Sequence, residues 1–152
     1  MSVKAYEPHK SSIGGMDANI VALLTYILAI IFNFIGGLHW FGWAIPLVFF
    51  LMEKNSQLVK FHAAQSFVLA LIGAIIYIIL DAITWATLSS VGGWAYFLGG
   101  GWAATAIIAT IVGILIAIAE VIAMINAYQN KEWSIPFIGD LAEKFREKVK
   151  SI

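Results

Sequence analysis

Charged residues are confined to a few short stretches of this chain. No Asp, Glu, Lys or Arg occurs between Asp17 and Glu53, and only Asp81 and Glu120 interrupt the run between Lys60 and Lys131. A helix needs roughly 20 apolar residues to cross a hydrocarbon core of about 30 Å, so each tract is too long for one crossing. Each is also broken by glycines, where helix propensity is poor. The first tract, 18–52, breaks at Gly36-Gly37 and predicts a tight hairpin with arms over 19–35 and 40–52, both short for a full crossing. The second breaks at Gly92-Gly93 and Gly99-Gly100-Gly101 and predicts helices over 59–88 and 102–128.

The expected fold is all-α: a polytopic four-helix transmembrane bundle over 18–130. A flexible cytoplasmic arm, 1–17, precedes it and a cytoplasmic amphipathic tail, 131–152, follows. Lys4 and Lys10 precede the first helix, Lys54 and Lys60 lie between the second and third, and Lys131, Lys144, Arg146, Lys148 and Lys150 follow the fourth. Four crossings put all of them on one side, which the positive-inside rule makes the cytoplasm; the expectation is a cell-membrane protein with both termini inside. The arm has no apolar core or small-residue cleavage site of a signal peptide, and Asp17 or Asn19 can cap the first helix. Trp40, Trp43, Trp85, Trp94 and Trp102 fall at the end without basic residues, as an interfacial belt requires. In the tail, Asp140 and Glu143 have capping-box spacing. Leu141, Phe145, Val149 and Ile152 then recur at helical spacing among charges, predicting a helix that lies along the cytoplasmic face.

Composition agrees. The chain is 61% hydrophobic and 12% charged, against about 45–50% and about 25% in soluble domains, which excludes a soluble monomer. It has no Cys, which excludes disulfides, cysteine–zinc sites and thiol catalysis. Lys+Arg and Asp+Glu both number 9, so net charge recruits no nucleic acid. The implied partners are the lipid bilayer and, through helix packing, the chain itself or other membrane proteins.

Small residues set helix contacts in lipid. Thr105, Ala109, Gly113 and Ala117 form such a face on the fourth helix; Ala63, Ala70 and Ala74, with Gly73 beside them, form one on the third. Glu120 continues the fourth helix's face, roughly 16 Å from Lys131 at 1.5 Å per residue. Intramembrane carboxylates face a bundle interior or a wet cavity. Glu120 is therefore either a structural lock, as a neutral acid hydrogen-bonded to a partner such as Asn33, or a proton-relay or translocation residue. Asp81 is either an interfacial carboxylate or a site facing Glu120 across the bundle. His9, His39 and His62 sit too far apart in the expected topology to bind a metal, and no phosphate loop, metal motif or Ser/His/Asp set is present. Neither an enzyme nor a cofactor is expected.

The segment Met52-Glu53-Lys54-Asn55 followed by Val59-Lys60-Phe61-His62-Ala63-Ala64-Gln65-Ser66 resembles the acidic–basic turn and basic–Phe–His–x–x–Gln run of a small prokaryotic membrane family without an assigned activity. Asn126-Ala127-Tyr128-Gln129 and Ile135-Pro136-Phe137-Ile138-Gly139-Asp140-Leu141-Ala142-Glu143-Lys144 resemble its closing segment. That family is distantly similar to the twenty-kilodalton component of the chloroplast inner-envelope import translocon (Tic) and to some magnetosome membrane proteins. The resemblance covers 17–148 and implies a role in protein translocation or membrane organisation. Lys60 can snorkel to lipid phosphates, Phe61 can bury, and His62 and Gln65 share a helix face. These four are either an interfacial anchor or a contact surface for a partner or the C-terminal helix. The favoured function is non-enzymatic assembly; the rival is a small proton-coupled transporter or channel using Glu120.

Overall fold

The computed structural model describes residues 3–35 and 41–150. The break at Gly36-Gly37, with His39 and Trp40, lies outside the described residues, as does Ile152. Among those described, six helices account for nearly all regular structure: α1 (Ala18–Phe34), α2 (Ala44–Met52), α3 (Gln57–Val91), α4 (Gly93–Leu98), α5 (Gly101–Tyr128) and α6 (Ile138–Lys150). Two-residue strands β1 (Lys4–Ala5) and β2 (Lys131–Glu132) pair antiparallel.

The element ends follow local chemistry. The Ser56 hydroxyl accepts the Val59 N–H at 3.2 Å and starts α3, a standard N-cap. Gly92, at φ +79°, ends it in a backbone conformation that suits glycine. The connection expected over 89–101 is mostly helical, because α3 runs to Val91 and α4 follows at once. Asp17 sits at the N-cap of α1, yet its carboxylate pairs with Lys10 at 2.8 Å instead of capping.

α3 is the central element and packs against α1, α2, α5 and α6. Ala18, Val21 and Ala22 of α1 bury against Leu58, Val59 and Ala127. Phe50, Ala63, Ala64 and Ala142 form a second cluster that holds Phe145 and Val149 of α6. Leu141, placed by its spacing on that apolar face, is instead exposed.

The hairpin, with arms over 19–35 and 40–52 both expected to be short for a full crossing, departs from expectation in its second arm. The second arm is helical only over nine residues, roughly 14 Å at 1.5 Å per residue. Pro46 explains the late start: without an N–H it belongs in a first turn. Gln65 Nε2 donates to the Tyr26 hydroxyl at 3.1 Å, and the Ser66 hydroxyl donates to the Thr25 carbonyl at 3.3 Å, so these four residues share one level. From there α1 continues over 27–34, roughly 12 Å, while α3 continues over 67–91, roughly 38 Å. By Gly42 the chain has turned back, because that glycine lies against Asn33 and the Ala29 carbonyl. The far ends of α3 and α5 stand beyond the end of α1.

α3 and α5 are long and apolar enough to cross a bilayer, with only 11% and 6% of their most apolar windows buried. A core helix of a soluble protein would be covered; these present Ile78, Ile79, Ile107, Ile114 and Leu115 outward.

The arm expected to be flexible is docked. β1 pairs with β2, the Tyr6 hydroxyl donates to Glu132 at 2.6 Å, and the His9 carbonyl accepts the Ala18 N–H at 2.9 Å. Its polar side chains find buried partners across the polar end of the bundle, a pairing that no local pattern announces.

Candidate intramembrane site

A cavity of about 490 Å³ opens between the end of α1, with Trp43, and the α3–α5 pair. Three helices contribute polar groups: Asn33 from α1, Tyr77 and Asp81 from α3, and Glu120 from α5. Small residues make the room, since Ala70, Ala74 and Ala117 line it without filling it. Where the helices touch, glycines admit large neighbours. A Cβ on Gly73 would stand 3.2 Å from Ile116 Cδ1, and one on Gly113 would stand 3.0 Å from the Tyr77 hydroxyl. That hydroxyl donates to the Ala109 carbonyl at 3.3 Å and fixes the register of α3 on α5.

This register places the carboxylates. Glu120 lies one turn past Ile116 and Asp81 two turns past Gly73 in the opposite direction, roughly 18 Å apart along the axis. Helical side chains lean toward their helix N-terminus, and α3 and α5 are antiparallel. The two carboxylates therefore lean toward each other along the cavity. Among the described residues, the side chains of Asn33, Asp81 and Glu120 form no hydrogen bond or ion pair. The direct Asn33–Glu120 bond expected of a structural lock is absent; both groups face the same open space. Trp43, expected in the outer belt, also lines this cavity and packs its indole edge-on to Phe67 at 6.2 Å.

The residues from Lys60 to Gln65 lie elsewhere. His62 and Gln65 are fully buried and offer no surface to a partner in this structure. His62 Nε2 donates to the Lys131 carbonyl at 2.9 Å, which leaves Nδ1 to accept from the Tyr26 hydroxyl at 3.1 Å. A carbonyl takes no proton onward, so this chain is a lock and not a relay. Gln65 also donates to the Trp133 carbonyl at 3.2 Å and accepts the Ile135 N–H at 3.0 Å. Phe61 is buried beneath the Arg146 guanidinium, 5.7 Å from its ring, and Lys60 reaches over the Phe50 ring at 5.9 Å.

Two further carboxylates organise this polar end. Glu53 is buried and accepts from the hydroxyls of Ser11 and Ser12 and from the backbone N–H groups of Asn55 and Ser56, both at 2.9 Å. Burial disfavours its charge, but these donors outweigh burial and bring its pKa down to about 2. Glu132 accepts from Tyr6 and pairs with Arg146 at 3.1 Å, while Arg146 also pairs with Glu143 at 2.6 Å. Burial works against the Arg146 charge as well, and these carboxylates outweigh it. Sequence reasoning missed Glu53, Glu132 and Tyr26 as organising residues; Ser12, Tyr6 and His62, one partner of each, lie 41, 126 and 36 positions away. No group of three or more His, Asp or Glu that could hold a metal ion occurs among the described residues.

Residues 17–142, most of the chain, match the magnetosome magnetite crystal formation protein family. The chain belongs to this family. It is 31% identical over 137 residues to a UPF0132 membrane protein of Methanocaldococcus jannaschii, covering 90% of this chain and 76% of that one. A second UPF0132 membrane protein of that organism is 28% identical, over 88% of this chain and 92% of its own length. One from Archaeoglobus fulgidus is 27% identical, over 85% and 95%. No solved structure matches the chain. With these relatives and its bare apolar helices, it is a membrane protein of a family whose activity is unassigned.

Proposed function

We propose that this chain is a non-enzymatic, multi-pass protein of the cell membrane that binds and passes a cation through its intramembrane cavity, as a small proton-coupled transporter or channel centred on Glu120. The observation that carries this is the convergence of Asn33, Asp81 and Glu120 on one cavity without hydrogen-bond partners among the described residues. A carboxylate at membrane depth costs on the order of 2.5–3.5 kcal/mol on insertion scales, and a purely structural role would offset that with a fixed partner. α3 and α5 cross fully in this reading, and the short hairpin enters and leaves from the cytoplasmic side, which replaces four full crossings. Every Lys and Arg falls on the arm, the α2–α3 turn, the start of α3 or the segment after α5; the positive-inside rule then puts both termini in the cytoplasm.

Proteoliposomes holding the purified chain and an enclosed pH dye test this. A pH gradient should relax faster with the wild type than with Glu120→Gln. No protein-dependent flux, or flux indifferent to that substitution, overturns the proposal.

A second reading is assembly with itself or another membrane protein, including the translocation role implied by the likeness to the import translocon component. It is favoured by a shallow groove on α5 beside Trp102, Ala106 and Thr110, where small side chains allow a second helix to approach closely. Crosslinking from Thr110→Cys in native membranes tests it; capture of lipid alone by a monomeric protein overturns it.

A further inference from the structure

We infer that the cavity's ligand is a hydrophobic organic cation. This inference rests on the reading of the cavity as a binding site and names what the site takes. Its size of about 490 Å³ lies within the range of roughly 300–1,000 Å³ typical of small-molecule pockets and far exceeds the needs of a bare ion. A hard cation such as calcium gathers 6–8 oxygens at about 2.3–2.6 Å; here the carboxylates stand roughly 18 Å apart along the axis.

The walls select for charge and for greasiness together. Asp81 and Glu120 supply negative charge from the two ends, and among the described residues no Lys, Arg or His lines the cavity to oppose it. Between them the lining is apolar, with the Trp43 indole and the Tyr77 ring as aromatic surfaces. Aromatic faces attract cations by about 2 kcal/mol or more when desolvated. A weakly hydrated cation loses little on leaving water for such a site. Access also fits an amphiphile: Asn33 and Asp81 are exposed on the side of the bundle, among outward-facing isoleucines such as Ile78 and Ile79. A ligand dissolved in the bilayer reaches this opening without crossing the polar cytoplasmic-type end.

Two probes of one shape and opposite charge decide the matter: tetraphenylphosphonium and tetraphenylborate, each measured by equilibrium binding to the full chain in nanodiscs. The cation should bind saturably and the anion should not, a comparison that requires no variant to fold. Glu120→Gln should weaken cation binding about tenfold or more, as loss of one partner of a desolvated charge pair does, and Trp43→Ala should weaken it several-fold. Equal binding of both probes overturns the inference. So does absence of cation binding in a preparation whose Glu120-dependent proton flux persists, which would leave the transport reading standing. Loss of both activities overturns both.

Discussion

Gln65 on α3 accepts the backbone N–H of Ile135 at 3.0 Å, and thereby ties the segment after α5 to a residue 70 positions earlier. The same carboxamide donates to the Tyr26 hydroxyl and the Trp133 carbonyl, so one buried side chain joins α1, α3 and the closing segment. Membrane helices gain little from apolar contact with one another, which makes such polar ties important to the register of the bundle.

Gln65→Leu should therefore be costly. It leaves a buried N–H and a buried carbonyl without partners, a penalty of about 3 kcal/mol. Thermal unfolding in detergent micelles should show a clear drop, and proteolysis should cut first near Ile135.

Gly139→Ala tests the packing of the α6 entry. A Cβ there would overlap the Ser134 side chain and stand 3.1 Å from Ser134 Cα, which backbone cannot relieve cheaply. We expect a loss of about 2 kcal/mol from overpacking. Gly93→Ala, whose Cβ would meet only Leu88 Cδ1 at 3.9 Å, should be near neutral in the same melt.

The docked arm should respond to acid. Glu53 has a folded-state pKa of about 2 against an ordinary 4.5, so its contribution is complete above pH 4.5 and is lost as pH falls from there toward 2. Limited proteolysis of residues 3–17 should accelerate over that window. Glu53→Gln should release the arm at neutral pH and flatten the dependence.

Arg146 and Glu132 form an ion pair whose side chains are only 11% and 10% exposed. Removing one partner strands the other charge, so Arg146→Met should cost about 3 kcal/mol. The double variant Arg146→Met/Glu132→Gln should recover part of that loss. A double-mutant cycle read by thermal unfolding measures the coupling.

Much of the helical plan was legible in the chain itself. The predicted spans 19–35, 59–88 and 102–128 fall within a few residues of α1, α3 and α5, because charge-free runs and glycine breaks are local signals. The hairpin's depth was not legible: it depends on Pro46 delaying α2 and on Gly42 folding back against Asn33. Asn33, Asp81 and Glu120 each stood out as a polar residue in an apolar run. That they line one cavity follows from the register set by Gly73 and Gly113, which no one-dimensional pattern contains. His62 and Gln65 stood out by motif resemblance, but their burial depends on the closing segment folding over them. The docking of the arm on Glu53 and Glu132 was equally hidden, since those pairings join residues 41 to 126 positions apart.

A wet, polar-lined cavity within the apolar part of the bundle should reveal itself to a water-soluble reagent. Ala117 lines it, while its neighbour Ile118 points outward and is 53% exposed. The native chain contains no Cys, so Ala117→Cys and Ile118→Cys each provide one thiol at nearly the same depth. Thiols react with water-soluble reagents as thiolates, which form only where water reaches. In sealed vesicles a small cationic thiosulfonate should modify Ala117→Cys at least tenfold faster than Ile118→Cys. Equal, negligible reaction at both positions would mean that water does not reach the cavity and would contradict a transport path through it.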